Sequence, residues 1–183
     1  MDENHFKQGF TWANYLQHLE DNLEELTKDR KEAEEYVQAL KDSYERVLVS
    51  EEAQEFIQEI QAPVNVIALA EYWCSDARAN LPVMVRISEF NPNIELRIFP
   101  RDANLELMKQ YLFRGKSMSI PAFGFFDEDF NEFARWLGGK PNICWNWIDE
   151  FGKDEANQKI RDFNIKNRGQ ETLKEFIEIL KSM

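Results

Sequence analysis

Cys74 is the residue whose sequence context points most directly to chemistry. It follows Val64–Ala70, an apolar and β-favouring segment, and precedes a helical pattern that begins near Asp76. A cysteine at such a strand-to-helix turn faces backbone N–H groups and the positive end of the helix dipole, which both stabilise a thiolate. The sequence therefore predicts a reactive thiol at Cys74, with a modestly lowered pKa because Arg78 partly offsets Asp76.

The remaining residue types offer little other chemistry. Cys144 is the second of two cysteines, and it is interpreted as a small buried hydrophobe. His5 and His18 are interpreted as surface residues, so no metal site is predicted. The sequence contains neither a Gly-x-Ser-x-Gly motif nor a phosphate-binding glycine loop, and no cofactor is predicted. Trp145 and Trp147 are expected to pack under the C-terminal helices, with ligand stacking as the alternative.

Length and charge limit the classes of protein and partner. The 183 residues fit one domain, or one domain with an extension. A formal net charge of -12 disfavours nucleic acid and anionic membrane surfaces. No segment has the pattern of a signal peptide or a membrane span, which indicates a cytoplasmic protein. The acidic excess is concentrated in residues 20–60, where it is interpreted as a solvated helix surface. The sequence does not indicate an oligomeric state.

The first third of the chain has helical periodicity. Residues 1–10 show no clear period and are expected to be loosely held. One helix is predicted from Thr11, with an apolar face formed by Leu16, Leu19, Leu23 and Leu26. A second is predicted over Asp29–Val49, and a third after Ser50, a candidate N-cap.

The rest of the chain alternates between strand and helix patterns. The predicted strands are Val64–Ala70, Ile94–Pro100, Pro121–Asp127 and Phe130–Leu137. The predicted helices are Asp76–Phe90, Asn104–Phe113, Asn142–Phe151, Asp154–Phe163 and Thr172–Lys181. The first two strands, joined through a helix, should be parallel, and the last two should form a hairpin. The predicted fold is a three-layer α/β sandwich with a central mixed sheet and an N-terminal helical extension. The predicted domains are residues 1–50, an extension packed on the core, and residues 51–183.

This order of elements resembles the thioredoxin family. Trp73-Cys74-Ser75-Asp76-Ala77 is similar to the active-site corner, where the family has Trp-Cys-x-x-Cys. Pro82 stands where the family has the kinking proline of its active-site helix, and Ile120-Pro121 resembles its cis-proline. Gly138 follows the last strand, where the family has a glycine beside the site. The Asp76 variant is similar to a branch typical of bacteria such as bacilli.

Two departures from the family pattern bear on function. Ala77 replaces the resolving cysteine, whose thiol normally releases the mixed disulfide. Ala68 replaces a buried aspartate that assists proton transfer from that cysteine. The two losses are consistent with each other, because the aspartate has no function without a resolving thiol.

The resemblance implies two alternative functions. In the first, Cys74 is a catalytic monothiol that exchanges with protein or small-thiol disulfides, and Cys144 is a candidate distant resolving thiol. In the second, the protein is a redox-inactive module that binds extended peptides against the cis-proline segment. The implied substrate-binding residues are Trp73, Ser75, Asp76, Ala77, Ile120, Pro121 and Gly138.

Overall fold

The computed structural model describes residues 1–26 and 29–183. Within these ranges the chain forms ten helices and four strands. The helices are α1 Glu3–Phe6, α2 Trp12–Asp21, α3 Leu23–Leu26, α4 Arg30–Arg46, α5 Glu51–Glu59, α6 Ser75–Phe90, α7 Leu105–Met108, α8 Asn142–Phe151, α9 Lys153–Asn167 and α10 Gln170–Lys181. The strands are β1 Val64–Ala70, β2 Ile94–Pro100, β3 Ala122–Phe126 and β4 Glu132–Trp136.

The four strands form one mixed sheet in the order β2-β1-β3-β4. Strands β1 and β2 are parallel, joined through α6, while β3 is antiparallel to both β1 and β4. The predicted α/β class, parallel pair and hairpin are confirmed. Since β1 lies in the middle of the sheet, the residues that follow it emerge at the centre of one sheet edge.

Alternation along β1 divides the core into two layers of side chains. Val66 and Ala68 face a cluster that includes residues of α2, α4, α5, α6 and α10. Ile67 and Leu69 face a second cluster built with residues of α1 and α7. The sheet is therefore covered on both faces, which is why β1 is apolar at nearly every position.

The first ten residues are packed, contrary to the expectation that they are loosely held. Asp2 caps α1 by accepting a hydrogen bond from the backbone N–H of His5 at 2.9 Å. Phe6 is fully buried, and Phe10 exchanges two 2.8 Å backbone hydrogen bonds with Ile98. These contacts cover an edge of β2 that would otherwise have unpaired backbone groups.

The predicted helix from Thr11 to Leu26 is divided in two. Helix α2 ends before Asn22, whose side chain donates a 2.7 Å hydrogen bond to the backbone carbonyl of His18. This bond satisfies one of the free carbonyls at the helix C-terminus. The side chain of Leu26 lies outside the described part of the structure.

Several other helices differ in length from their predictions; α4, for example, ends at Arg46 rather than at Val49. The helix predicted over Asn104–Phe113 ends at Met108, because Tyr111 is buried and donates a 2.7 Å hydrogen bond to Glu132. Helix α9 continues to Asn167, four residues beyond the predicted end. No helix in the described ranges is long and apolar enough to cross a membrane.

Candidate functional site

Cys74 lies at the N-cap of α6, at the end of the turn that follows β1. Its backbone N–H donates to the Glu71 carbonyl at 3.1 Å, and its thiol donates to the Ile120 carbonyl at 3.4 Å. The side chain is partly buried and packs against the core clusters on both faces of the sheet. The thiol is thus held against the segment that leads into β3, where the Ile120–Pro121 peptide bond is cis.

Burial raises the pKa of the Cys74 thiol above its ordinary value. The backbone N–H groups of Ala77 and Asp76 lower this pKa, the Asp76 carboxylate raises it, and the Lys140 ammonium lowers it. The balance is a raised pKa, so the prediction of a lowered value is wrong. Burial disfavours the charged thiolate more than the helix terminus favours it.

Lys140, which follows the last strand, is the cation that offsets Asp76. Its ammonium group forms an ion pair with the Asp76 carboxylate, and both side chains are largely buried. Arg78, which was expected to offset Asp76, instead donates hydrogen bonds to the backbone carbonyls of Tyr72 and Trp73. The charge balance at the thiol therefore depends on a contact between residues far apart in the chain.

Asp76→Asn is expected to make Cys74 more reactive at neutral pH. The substitution removes a negative charge that raises the thiol pKa, and it leaves the Lys140 ammonium free to stabilise the thiolate. We expect alkylation of Cys74 to become about threefold faster, measured by intact mass with iodoacetamide. Asp149→Asn, which removes an exposed carboxylate paired with Arg114, is the charge-matched control. An unchanged or slower rate in Asp76→Asn alone would contradict this electrostatic account.

A groove with a volume of about 400 Å³ opens beside Cys74. Trp73 forms part of its wall and is 40 % exposed, which is unusual for so large an apolar side chain. The residues that line the groove are Trp73, Cys74, Asp76, Arg101, Ser117, Met118, Ser119, Ile120, Gly138, Lys140, Trp145, Ile148, Lys153 and Asn157.

The structure brings most of the sequence-predicted site residues into this groove. Five of them line it, namely Trp73, Cys74, Asp76, Ile120 and Gly138. Of the remaining four, Ser75 is exposed, and Ala77, Pro121 and Cys144 are buried and do not line the groove. Ala77, where the resemblance implies a resolving cysteine, is 1 % exposed and therefore buried in the core.

Cys144 lies in a different environment from Cys74. It is fully buried on α8, in a cluster with Ala156 and Ile160 of α9. Burial raises the pKa of its thiol to about 11. Both cysteines are free thiols in the structure. This environment matches that of a small buried hydrophobe, and the resolving function of Cys144 stays a prediction.

Asn80 connects the site to the C-terminal helix, a contact that the sequence did not indicate. Its side-chain amide donates to the backbone carbonyls of Asp76 at 2.9 Å and Gly139 at 3.0 Å. Its carbonyl oxygen accepts a 2.5 Å hydrogen bond from the Thr172 hydroxyl. The bonds to Gly139 and Thr172 are buried, so the network fixes the Gly138-Gly139 turn against α6.

The sequence also did not indicate that Glu71 and Tyr15 are buried near Cys74. Glu71 is buried, accepts a 2.8 Å hydrogen bond from the backbone N–H of Asp102, and has a pKa raised by burial. Tyr15 of α2 is 1 % exposed, and its hydroxyl has no hydrogen-bond partner among the described residues. Burial raises the Tyr15 pKa, and the nearby Glu71 and Cys74 raise it further.

Tyr15→Phe is expected to leave the fold as stable or to stabilise it by up to about 1 kcal/mol. The substitution removes a buried hydroxyl that makes no hydrogen bond, and such a group costs free energy when it is desolvated. Urea unfolding would measure the change. Tyr111→Phe is the matched control and should lose about 1 kcal/mol, because it removes the hydrogen bond to Glu132. A loss at Tyr15 as large as that at Tyr111 would show that its hydroxyl is bonded.

The two histidines are partly exposed, and Trp145 and Trp147 lie in different environments. His18 stacks on Phe10 with ring centroids 4.8 Å apart, and neither histidine is fully exposed. Trp147 packs edge-on against Phe163 of α9, as expected, whereas Trp145 lines the groove. Across the described residues, no group of three or more His, Cys, Asp or Glu side chains is placed to hold a metal ion.

Comparison with known proteins supports one family. A family model described as thioredoxin matches residues 21–152. A crystal structure of PA1234, a protein of unknown function from Pseudomonas aeruginosa, has a TM-score of 0.71 at 18 % identity, and the alignment covers 99 % of this chain and 98 % of that chain. An HIV epitope scaffold has the same score and identity over 100 % of this chain and 99 % of its own. At this identity the two structures show a shared fold alone. No curated protein matches the sequence.

Proposed function

The chain belongs to the thioredoxin family, and from this premise we propose that Cys74 carries out thiol–disulfide exchange as a single thiol. The observation that carries the proposal is the position of Cys74 at the start of α6, where its sulfur faces two backbone N–H groups and a groove. In this proposal the buried Ala77 stands where a resolving cysteine would be needed, so no second thiol is available there.

The proposed step is one exchange with a ligand disulfide. The Cys74 thiol loses its proton to solvent, and the thiolate attacks one sulfur of the ligand. A bond forms between the two sulfurs, and the ligand S–S bond breaks. The second ligand sulfur leaves with the electron pair and takes up a proton. Release of the mixed disulfide then requires an external low-molecular-weight thiol as the reductant.

The environment of Cys74 favours a long-lived mixed disulfide. A thiol with a raised pKa is a poor leaving group, so an external thiol displaces Cys74 slowly. The same raised pKa leaves little thiolate at neutral pH, so the first attack is also slow. We therefore propose that Cys74 captures its ligand rather than turning it over rapidly.

A redox-inactive binding module is the second candidate, and the raised pKa of Cys74 is the observation that favours it. In this case the exposed Trp73, with Ile120 and Pro121, would hold an extended peptide without forming a covalent bond. We further propose that residues 1–50 are a helical extension of the domain formed by residues 51–183 and offer that partner a second surface.

The two candidates are separated by the mass of the intact protein after incubation with hydroxyethyl disulfide, a small uncharged probe. Single-thiol exchange predicts one mixed-disulfide adduct on the native protein, with a rate that increases as the pH rises towards the raised Cys74 pKa. Cys74→Ser should form no adduct. If the native protein also forms none at alkaline pH, the exchange proposal is wrong and the binding module is the better explanation.

A further inference from the structure

We infer that the groove beside Cys74 takes a small disulfide that carries carboxylate groups. This inference rests on the proposed exchange function and names the class of its substrate. The supporting observation is the net charge of the residues that line the groove, which is opposite in sign to the net charge of the chain. The chain has a formal net charge of -12, yet three cations and one carboxylate line the groove.

The charges of Lys140 and Asp76 largely cancel, because the two largely buried side chains form an ion pair. Among the described residues, Lys153 supplies an unpaired positive charge, and Arg101 adds a guanidinium whose partner, Asp102, does not line the groove. Arg101 lies over Trp73, with its guanidinium carbon 5.0 Å from a ring centroid, so it is fixed beside Cys74. Asp102 accepts two hydrogen bonds from this guanidinium and offsets part of its charge, but the Asp102 carboxylate is largely exposed to solvent and lies outside the groove lining.

Lys153 is the groove cation that has no ion-pair partner among the described residues. It is exposed at the first position of α9, and it makes no ion pair with any residue in the described ranges. Asp154 and Glu155 follow it on the helix but do not line the groove. Its ammonium group is therefore available to a ligand that reaches Cys74 from the α9 side.

The uncharged groups of the groove suit the same ligand. The hydroxyls of Ser117 and Ser119 are 2.8 Å apart and form a polar pair at the wall, and the Asn157 amide also lines the groove. Hydroxyl and amide groups donate hydrogen bonds to carboxylate oxygens. The volume of about 400 Å³ is that of a small-molecule site.

The test compares three small disulfides that differ in charge: dithiodipropionate, which is anionic, hydroxyethyl disulfide, which is neutral, and cystamine, which is cationic. The rate of adduct formation at Cys74 is divided by the rate for N-acetylcysteine amide, a free thiol, which removes intrinsic differences among the probes. We expect the anionic probe to exceed the cationic one by about tenfold at low salt, and we expect salt to reduce this preference.

Lys153→Glu should lower the ratio of anionic to cationic rates about threefold or more. Lys166→Glu is the matched control, since it makes the same charge change on α9, thirteen residues further along the helix and outside the groove. Equal normalised rates for the three probes, or an equal effect of the two variants, would overturn the inference while leaving exchange intact. The absence of adducts with all three probes would overturn the exchange proposal itself.

Discussion

Gly139→Ala is expected to destabilise the protein by about 3 kcal/mol or more. A Cβ atom at Gly139 would lie 2.3 Å from the backbone oxygen of Ile120, and the residue has a φ of +79°. Backbone atoms cannot move aside as a flexible side chain would, so the turn or the segment before β3 must shift. Since the Ile120 oxygen accepts the hydrogen bond from the Cys74 thiol, the site should be disturbed together with the fold.

Gly115→Ala is the control that separates the two causes of the destabilisation expected for Gly139→Ala, namely the steric clash and the positive φ. Gly115 also has a positive φ, +70°, but no atom lies within 4 Å of the position that a Cβ would take there. We expect this variant to lose only about 1 kcal/mol, the cost of the left-handed backbone conformation. Urea unfolding of both variants gives the difference between them. Equal losses would show that the close approach of Gly139 to Ile120 contributes nothing to stability.

Ala77→Cys is expected to change the fate of the mixed disulfide more than any other substitution near the site. Cys74 and position 77 are three residues apart at the start of α6, so their side chains lie on the same side of the helix. A thiol at position 77 can attack the Cys74 sulfur within the molecule and expel the ligand. We expect release without external thiol to become at least about a hundredfold faster, because an intramolecular attack replaces an intermolecular one.

Ala77→Ser is the control for the added volume, because position 77 is buried and a larger side chain is expected to cost some stability. The serine variant should keep the mixed disulfide as long as the native protein does. The ligand is followed by intact mass after excess disulfide is removed. If Ala77→Cys also retains its ligand, the replacement of a resolving cysteine by Ala77 is not what makes the adduct persistent.

The sheet and its helices could be predicted because their signals are local. The apolar run of β1 and the alternating pattern of β2 were visible in short windows, and α8 has the predicted bounds. The packing of Phe6 and Phe10 could not be predicted, since Phe10 pairs with Ile98 and Phe6 packs against Phe130, both far along the chain. Likewise, Tyr111, just past the end of α7, is bonded to Glu132 on β4, a contact with no local signal.

For the site, the sequence located the thiol but not its electrostatic environment. Cys74 and the Ile120–Pro121 segment stood out through their motifs, and the structure places them in contact. Lys140 and Arg101 carry no local signal, because they reach the groove only through the positions of β2 and β4 in the folded sheet. The direction of the Cys74 pKa shift was missed for the same reason, as burial is a property of the folded chain.

The most direct test of single-thiol exchange is the lifetime of the isolated mixed disulfide in the absence of any external thiol. The protein is first loaded with hydroxyethyl disulfide, and excess reagent is then removed. We predict that the adduct on Cys74 persists at neutral pH, that Cys144 stays unmodified, and that a low-molecular-weight thiol restores the original mass. Spontaneous loss of the adduct with formation of a disulfide between Cys74 and Cys144 would contradict the account.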